Sequence, residues 1–203
     1  MKNNILNNFI VLEGLDGAGT STQCRLLNQN IKSSILTFEP TDSPIGSLIR
    51  KGLQKKIILN QDTLSYLFAA DRSDHIYGIN GIINKIKDHI VICDRYLFSS
   101  LAYQSLDLPF KKVYQLNKYF PMPQVVFFLN TSTDVCQKRI SKRGNNEEIF
   151  EKKELQQKIL NNYLKAFDYY KDKGLNLIMI DGNLKAENIL LEEIKYLKKI
   201  GVI

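Results

Sequence analysis

What most constrains the fold of this chain is a rhythm. Five short apolar runs each give way to a stretch with helical spacing. The runs are Phe9–Glu13 (FIVLE), Ile35–Glu39 (ILTFE), Ile90–Cys93 (IVIC), Gln124–Leu129 (QVVFFL) and Asn176–Ile180 (NLIMI). They are rich in Val, Ile, Leu and Phe, as expected of strands covered on both faces. Between them, helices are predicted at Ser21–Asn30, Gly46–Lys56, Ser99–Leu106, Thr133–Lys142, Lys153–Lys173 and Lys185–Ile200. A long helix is predicted over Asp62–Asp88, with Leu64, Leu67, Phe68, Ile76 and Ile79 at helical spacing. The alternation predicts an α/β fold, a five-stranded parallel sheet with helices on both faces. Ligands of such sheets bind at the carboxyl ends of the strands, so functional side chains are expected just after Glu13, Glu39, Cys93, Leu129 and Ile180. No repeat, low-complexity tract or Pro/Ser/Gly-rich linker divides the 203 residues, so 1–203 reads as a single domain.

Composition removes several classes of function. With 44% hydrophobic and 24% charged residues the chain is neither disordered nor a membrane bundle, and no apolar run approaches the roughly 18 residues of a spanning helix. The opening MKNNILNN is too short and polar for a signal peptide. Cys24, Cys93 and Cys136 are odd in number and far apart, which suits a reducing cytoplasm better than a disulfide framework or a zinc site. The net charge of +7 invites a nucleic-acid reading. Most of it is scattered Lys, however, and no basic–aromatic stripe accompanies it, so no nucleic-acid partner is expected. Arginine is confined to Arg25, Arg50, Arg72, Arg95, Arg139 and Arg143, and it is the side chain suited to bidentate phosphate recognition.

After the first strand comes Gly14-Leu15-Asp16-Gly17-Ala18-Gly19-Thr20-Ser21-Thr22. This is nearly the phosphate-binding loop G-x-x-x-x-G-K-[ST], in the required strand–loop–helix setting. Its glycines let backbone N–H groups turn onto phosphate oxygens, the helix N-terminus adds partial positive charge, and Ser21 offers a hydroxyl to Mg²⁺. Thr20, however, stands where the motif has lysine. Losing one preorganised donor costs about 2.7–4 kcal/mol of transition-state stabilisation, so another cation has to substitute. Arg139, Lys142 and Arg143, on a stretch that runs into the polar Asn145–Glu148, are the candidates, on a lid of about residues 142–152. His75 and His89 have no carboxylate or Cys partner at a telling spacing and read as packing or surface residues.

Further segments, Glu39-Pro40, Leu67–Arg72 (LFAADR) and Asp94–Gln104 (DRYLFSSLAYQ), follow the loop in an order and spacing that resembles bacterial thymidylate kinases, which are P-loop nucleoside monophosphate kinases. The resemblance covers nearly the whole chain. It implies transfer of the ATP γ-phosphate to dTMP, giving dTDP for dTTP supply, with ATP as co-substrate, Mg²⁺ as cofactor, and a homodimer built from long helices. By the same resemblance, ATP would lie on Gly14–Thr22 with Arg139 and Arg143. Phe68 would stack on thymine, and Arg72 would meet the base edge with Gln104 near it. Glu39, Pro40, Ser99 and Ser100 would complete the dTMP site. Arg50 and Arg95 would grip the acceptor phosphate, with Tyr103 against the sugar 2′ carbon. Asp94 would hold Mg²⁺ with Ser21, while Asp16 would face the acceptor near the reacting groups, alongside Arg95 and Arg143.

The chain departs from that pattern at Thr20 and at Glu148-Ile149, where many relatives carry Asp-Arg. These two losses motivate an alternative, a catalytically degenerate nucleotide-binding protein; a kinase for another nucleoside monophosphate is a second. Arg25 is left without a role.

Overall fold

The computed structural model describes residues 4–142 and 153–203. Its five strands are β1 (Ile5–Gly14), β2 (Ser34–Phe38), β3 (Ile90–Asp94), β4 (Met122–Asn130) and β5 (Leu177–Asp181). They form one sheet in the order β2-β3-β1-β4-β5, every neighbouring pair parallel. Phe9–Leu12, Val91–Cys93 and Val125–Leu129 are fully buried along consecutive residues. Because successive side chains point to opposite faces, both faces of the central strands are covered. Each such aliphatic or aromatic side chain contributes about 1.5–3 kcal/mol by burial.

The helices are α1 (Thr20–Asn30), α2 (Pro44–Leu53), α3 (Gln61–Tyr77), α4 (Ile82–Lys85), α5 (Leu97–Tyr103), α6 (Phe110–Asn117), α7 (Thr133–Ser141), α8 (Lys153–Tyr170) and α9 (Ala186–Lys199). Helix α1 packs on α9, and α5 packs on α8. The second pair is cemented by aromatics, with Phe98 and Phe128 rings 5.2 and 5.0 Å from that of Phe167.

Three expectations are corrected. The long helix predicted over Asp62–Asp88 ends at Tyr77 and is followed by the short α4. Its stop is Gly78, where a Cβ would lie 2.5 Å from the Asp74 carbonyl oxygen. Strand β1 begins at Ile5, four residues before the apolar run, with an irregularity between Leu6 and Ile10 and a left-handed Asn8. Helix α6 was not anticipated, although Phe110, Val113 and Tyr114 fall at helical spacing; it is eight residues long and buries only Val113 and Asn117.

Register sets up the site. Leu12 pairs with both Asp94 and Phe127, and Asp94 pairs with Phe38. The segments leaving β1, β2 and β3 therefore emerge side by side at one edge of the sheet.

Candidate active site

The phosphate loop leaves β1 at Gly14 and enters α1 at Thr20. Gly17 has φ 85°, and a Cβ there would lie 2.6 Å from the Cys136 carbonyl oxygen of α7. Gly19 occupies the N-cap of α1 without a capping side chain, and no acidic residue lies in the first turn. The first N–H groups of α1 are thus left for an anion, and the helix dipole favours one. Thr20 is buried, with its methyl 3.2 Å from where a Cβ on Gly14 would stand. It packs beneath the loop; Leu15 and Ala18 are likewise buried, and Thr22 is half-buried.

Beside the loop lies a cavity of about 520 Å³. Asp16, Ser21, Glu39, Pro40, Arg50, Phe68, Arg72, Asp94, Arg95, Ser99, Ser100, Tyr103 and Gln104 all line it. The register explains the convergence: Asp16 follows β1, Glu39 and Pro40 follow β2, and Asp94 ends β3. Helices α2, α3 and α5 roof the space with Arg50, Phe68 and Tyr103. Arg25 also lines it, with an exposed side chain that makes no hydrogen bond or ion pair among the described residues. Sequence reasoning left Arg25 unassigned. The available signal was its place one turn beyond Ser21 on the same helix face.

Arg95 is the most heavily engaged cation. Its Nη2 donates to Asp16 Oδ1 at 2.5 Å, while Nη1 donates to the Gly14 carbonyl at 3.1 Å and Ser99 Oγ at 3.2 Å. Its guanidinium lies 5.1 Å from the centre of the Tyr103 ring. Burial works against its charge, but Tyr103, Asp16, Tyr163 and Asp94 hold its pKa well above the ordinary value. Its backbone is left-handed, φ 70°, at a cost of about 1–2 kcal/mol for a residue with a Cβ. The Arg95 N–H donates to the Leu12 carbonyl at 2.9 Å, which keeps the residue on the sheet edge. Arg50 donates to the Pro40 carbonyl at 2.8 Å and meets the exposed Asp42 at 3.3 Å.

At the inner wall Arg72 is only 1% exposed. It donates through Nε to Glu39 Oε2 at 2.8 Å, through Nη2 to Ser100 Oγ at 2.9 Å, and through Nη1 to Asn117 Oδ1. Gln104 Oε1 accepts from Ser65 Oγ at 3.0 Å. His75, read from sequence as lacking a carboxylate partner, has one: its Nδ1 lies 3.0 Å from Glu39 Oε1, and its Nε2 lies 2.6 Å from Thr37 Oγ1. Spacing along the chain hid this, since Glu39 arrives from 36 residues away. Phe68 is half-buried and stands on the cavity wall outside the main core cluster, so its helical spacing does not make it a core residue.

Glu13, the last residue before the loop's first glycine, is fully buried. Burial pushes its carboxyl up to about 7, against the opposing pull of Ser99, Arg95, Tyr163 and the Tyr96 N–H. Ser21 Oγ donates to Asp94 Oδ2, and Asp94 Oδ1 is buried without a hydrogen-bond partner among the described residues. A hydroxyl beside a half-satisfied carboxylate suits Mg²⁺, which takes one or two protein oxygens and fills the rest with phosphates and water.

On the far side of the loop Arg139 donates to the carbonyls of Ala18 at 2.8 Å and Gly182 at 3.0 Å, clamping α7 to the loop. Lys142 is exposed just past α7. Arg143, Glu148, Ile149 and the rest of the expected lid beyond Lys142 lie outside the described residues.

The family model described as thymidylate kinase matches residues 12–194. Curated relatives named thymidylate kinase include one from Treponema pallidum, 45% identical over 168 residues, 81% of this chain and 81% of that one. Another, from Methanocaldococcus jannaschii, is 39% identical over 198 residues, 96% of this chain and 97% of its own. Among solved structures, thymidylate kinase from Candida albicans is similar with a TM-score of 0.79 at 22% identity, over 97% of this chain and 93% of that one, a likeness of fold.

Proposed function

The chain belongs to the thymidylate kinase family and is an ATP-dependent phosphotransferase that converts dTMP to dTDP, and we propose that the cavity beside its phosphate loop is the dTMP site. One observation carries this assignment. Two arginines near the loop, an aromatic face and a fixed set of polar groups at the inner wall share one cavity of nucleotide size. In this reading Arg50 and Arg95 hold the acceptor phosphate as charge-assisted forks. Phe68 stacks on thymine, Arg72, Ser100 and Gln104 face its edge, and Tyr103 crowds the sugar 2′ carbon. Glu39, Pro40 and Ser99 fix the wall on which these groups stand.

The triphosphate of ATP lies on Gly14–Thr22, next to Arg139. Ser21 and Asp94 would hold Mg²⁺, whose chemistry is to neutralise phosphate charge. An acceptor phosphate oxygen attacks the γ-phosphorus and ADP departs. That oxygen is already deprotonated near neutrality, so Asp16 positions Arg95 and no general base is needed. Catalysis is positioning plus charge neutralisation. The alternative of a degenerate nucleotide binder rests on Thr20 and Glu148-Ile149 alone, whereas the acceptor cavity keeps every group expected there for dTMP. The reading extends to a homodimer, supported by the exposed Tyr66 and Tyr77 of α3, and to a cytoplasmic setting, supported by three free cysteines. Among the described residues, no helix is long and apolar enough to cross a membrane.

The deciding experiment follows ADP release from ATP and Mg²⁺ with a panel of nucleoside monophosphates. Preferential stimulation by dTMP is expected. Absence of dTMP-dependent ADP, or equal turnover of dTMP and a purine monophosphate, overturns the assignment.

A further inference from the structure

Helix α8 contributes no residue to the cavity wall, yet it reaches the phosphate loop and Arg95. We propose that the Tyr163 hydroxyl is a positioning residue for Arg95, through which α8 holds the acceptor-phosphate guanidinium in place. The inference rests on the functional reading of the cavity.

Tyr163 is fully buried near the middle of α8. Its hydroxyl lies 3.0 Å from Glu13 Oε2, 2.8 Å from Ser99 Oγ, 3.2 Å from the Gly14 carbonyl oxygen and 3.3 Å from Arg95 Nη1. A phenol has one hydrogen to give and lone pairs to receive. Ser99 spends its own hydrogen on Glu13 Oε2 at 2.5 Å, and Arg95 can only donate. Tyr163 therefore donates toward the Glu13 carboxylate and the Gly14 carbonyl, and its oxygen accepts from Arg95, whose Nη1 shares two hydrogens among Gly14, Ser99 and Tyr163.

Glu13 is a rigid anchor for this relay. Its other oxygen takes the backbone N–H groups of Tyr96 at 2.9 Å and Ser99 at 3.2 Å, at the start of α5. The relay therefore runs from β1 through the α8 tyrosine to one nitrogen of Arg95. The other nitrogen is held by Asp16, and here too α8 intervenes: Gln156 Nε2 donates to the Asp16 carbonyl at 2.9 Å. Such bracing is what a residue in the left-handed backbone region needs, since its own conformation does not hold it.

Removing only the hydroxyl is feasible. The Tyr163 ring packs 5.2 Å from Phe128 and 5.8 Å from Phe167, contacts a phenylalanine retains. Glu13 keeps Ser99 and two N–H groups, so the carboxylate stays satisfied. Arg95 Nη1 keeps Gly14 and Ser99 but loses its one contact with α8.

The test is Tyr163→Phe, with turnover, the KM for each substrate, and dTMP affinity by titration calorimetry. Turnover should fall about tenfold, the low end for losing a hydrogen bond to a charged group. The KM and Kd for dTMP should rise, the KM for ATP should stay, and the thermal midpoint should shift little. Phe167→Leu in the same helix is the packing control, expected to lower the midpoint without the dTMP-specific loss. In an Arg95→Lys background, Tyr163→Phe should add almost nothing. The proposal is overturned by any of three results: turnover and dTMP affinity within about twofold of wild type, the same dTMP-specific loss in Phe167→Leu, or an undiminished effect in the Arg95→Lys background. Inactive wild-type protein sinks the functional reading instead, and the dTMP affinities of the variants still decide this inference.

Discussion

Glu193 offers a sharp physical test of the fold around the phosphate loop. It sits on α9, fully buried, and neither carboxylate oxygen finds a hydrogen-bond partner among the described residues. It lies close enough to Cys24 of α1 to help raise that thiol's pKa, after burial and Asp94. Burial, with a smaller push from Glu192, raises the Glu193 carboxyl from 4.5 to about 8. Folding thus retains a proton that the unfolded chain releases above pH 4.5. The favourable state is fully present below that pH and is lost as pH rises toward 8. At 1.36 kcal/mol per unit, holding the acid neutral at pH 7 costs about 3 kcal/mol relative to pH 4. Glu193→Gln keeps the volume and removes the titration. Urea unfolding followed by circular dichroism should show the variant gaining over wild type by about 1 kcal/mol between pH 5 and 6, and again between 6 and 7. Glu13, whose carboxyl is raised to about 7 by burial, titrates in the same direction in both proteins. The variant should therefore still lose stability with rising pH, at a reduced slope. A difference between the two proteins that stays constant from pH 5 to 7.5 refutes the reasoning.

Three further outcomes are expected. Phe68→Ala should raise the KM for dTMP through the loss of about 1–3 kcal/mol of stacking and leave the KM for ATP unchanged, and parallel changes in both would count against a base contact. Arg72→Met leaves the buried Glu39 carboxylate without its guanidinium and should cost about 3–5 kcal/mol in urea unfolding, with a loss below about 1 kcal/mol contradicting the buried pair. Arg25→Gln should weaken dTMP binding severalfold by calorimetry while the thermal midpoint stays put, because the side chain lines the cavity, exposed and unpaired among the described residues; an unchanged Kd would remove it from the dTMP site.

The sheet was legible because its signal is chemical and local. Runs such as Ile90–Cys93 and Gln124–Leu129 are too continuously apolar for anything but doubly covered strands, and both are. What escaped was decided by single residues or by distant packing. Gly78 stops α3 although the apolar spacing runs on to Ile79, which is left almost wholly exposed at 93%. The first residues of β1 belong to the sheet because Ile5 and Leu6 pair with Met122 and Pro123. Nothing in their local sequence requires this.

The same division governs the site. The loop residues, Glu39, Asp94 and Arg95 were legible because they lie at or just past strand ends, and Phe68 and Arg72 because they sit in a short motif within α3. Their supports were not, since the relay through Glu13, Ser99 and Tyr163 closes across 150 residues of sequence. The missing lysine shows why those supports matter. With Thr20 packed under the loop, the proposed site draws its positive field from the uncapped N-terminus of α1 and from guanidiniums borne by other elements. Arg139 is clamped by two carbonyls and Arg95 by Asp16, Gly14, Ser99 and Tyr163. A lysine rooted in the loop carries its own placement, whereas a guanidinium rooted elsewhere is only as well placed as its braces. Removing the lysine from the loop therefore shifts the burden of precision onto partners brought from distant segments, which a motif does not record.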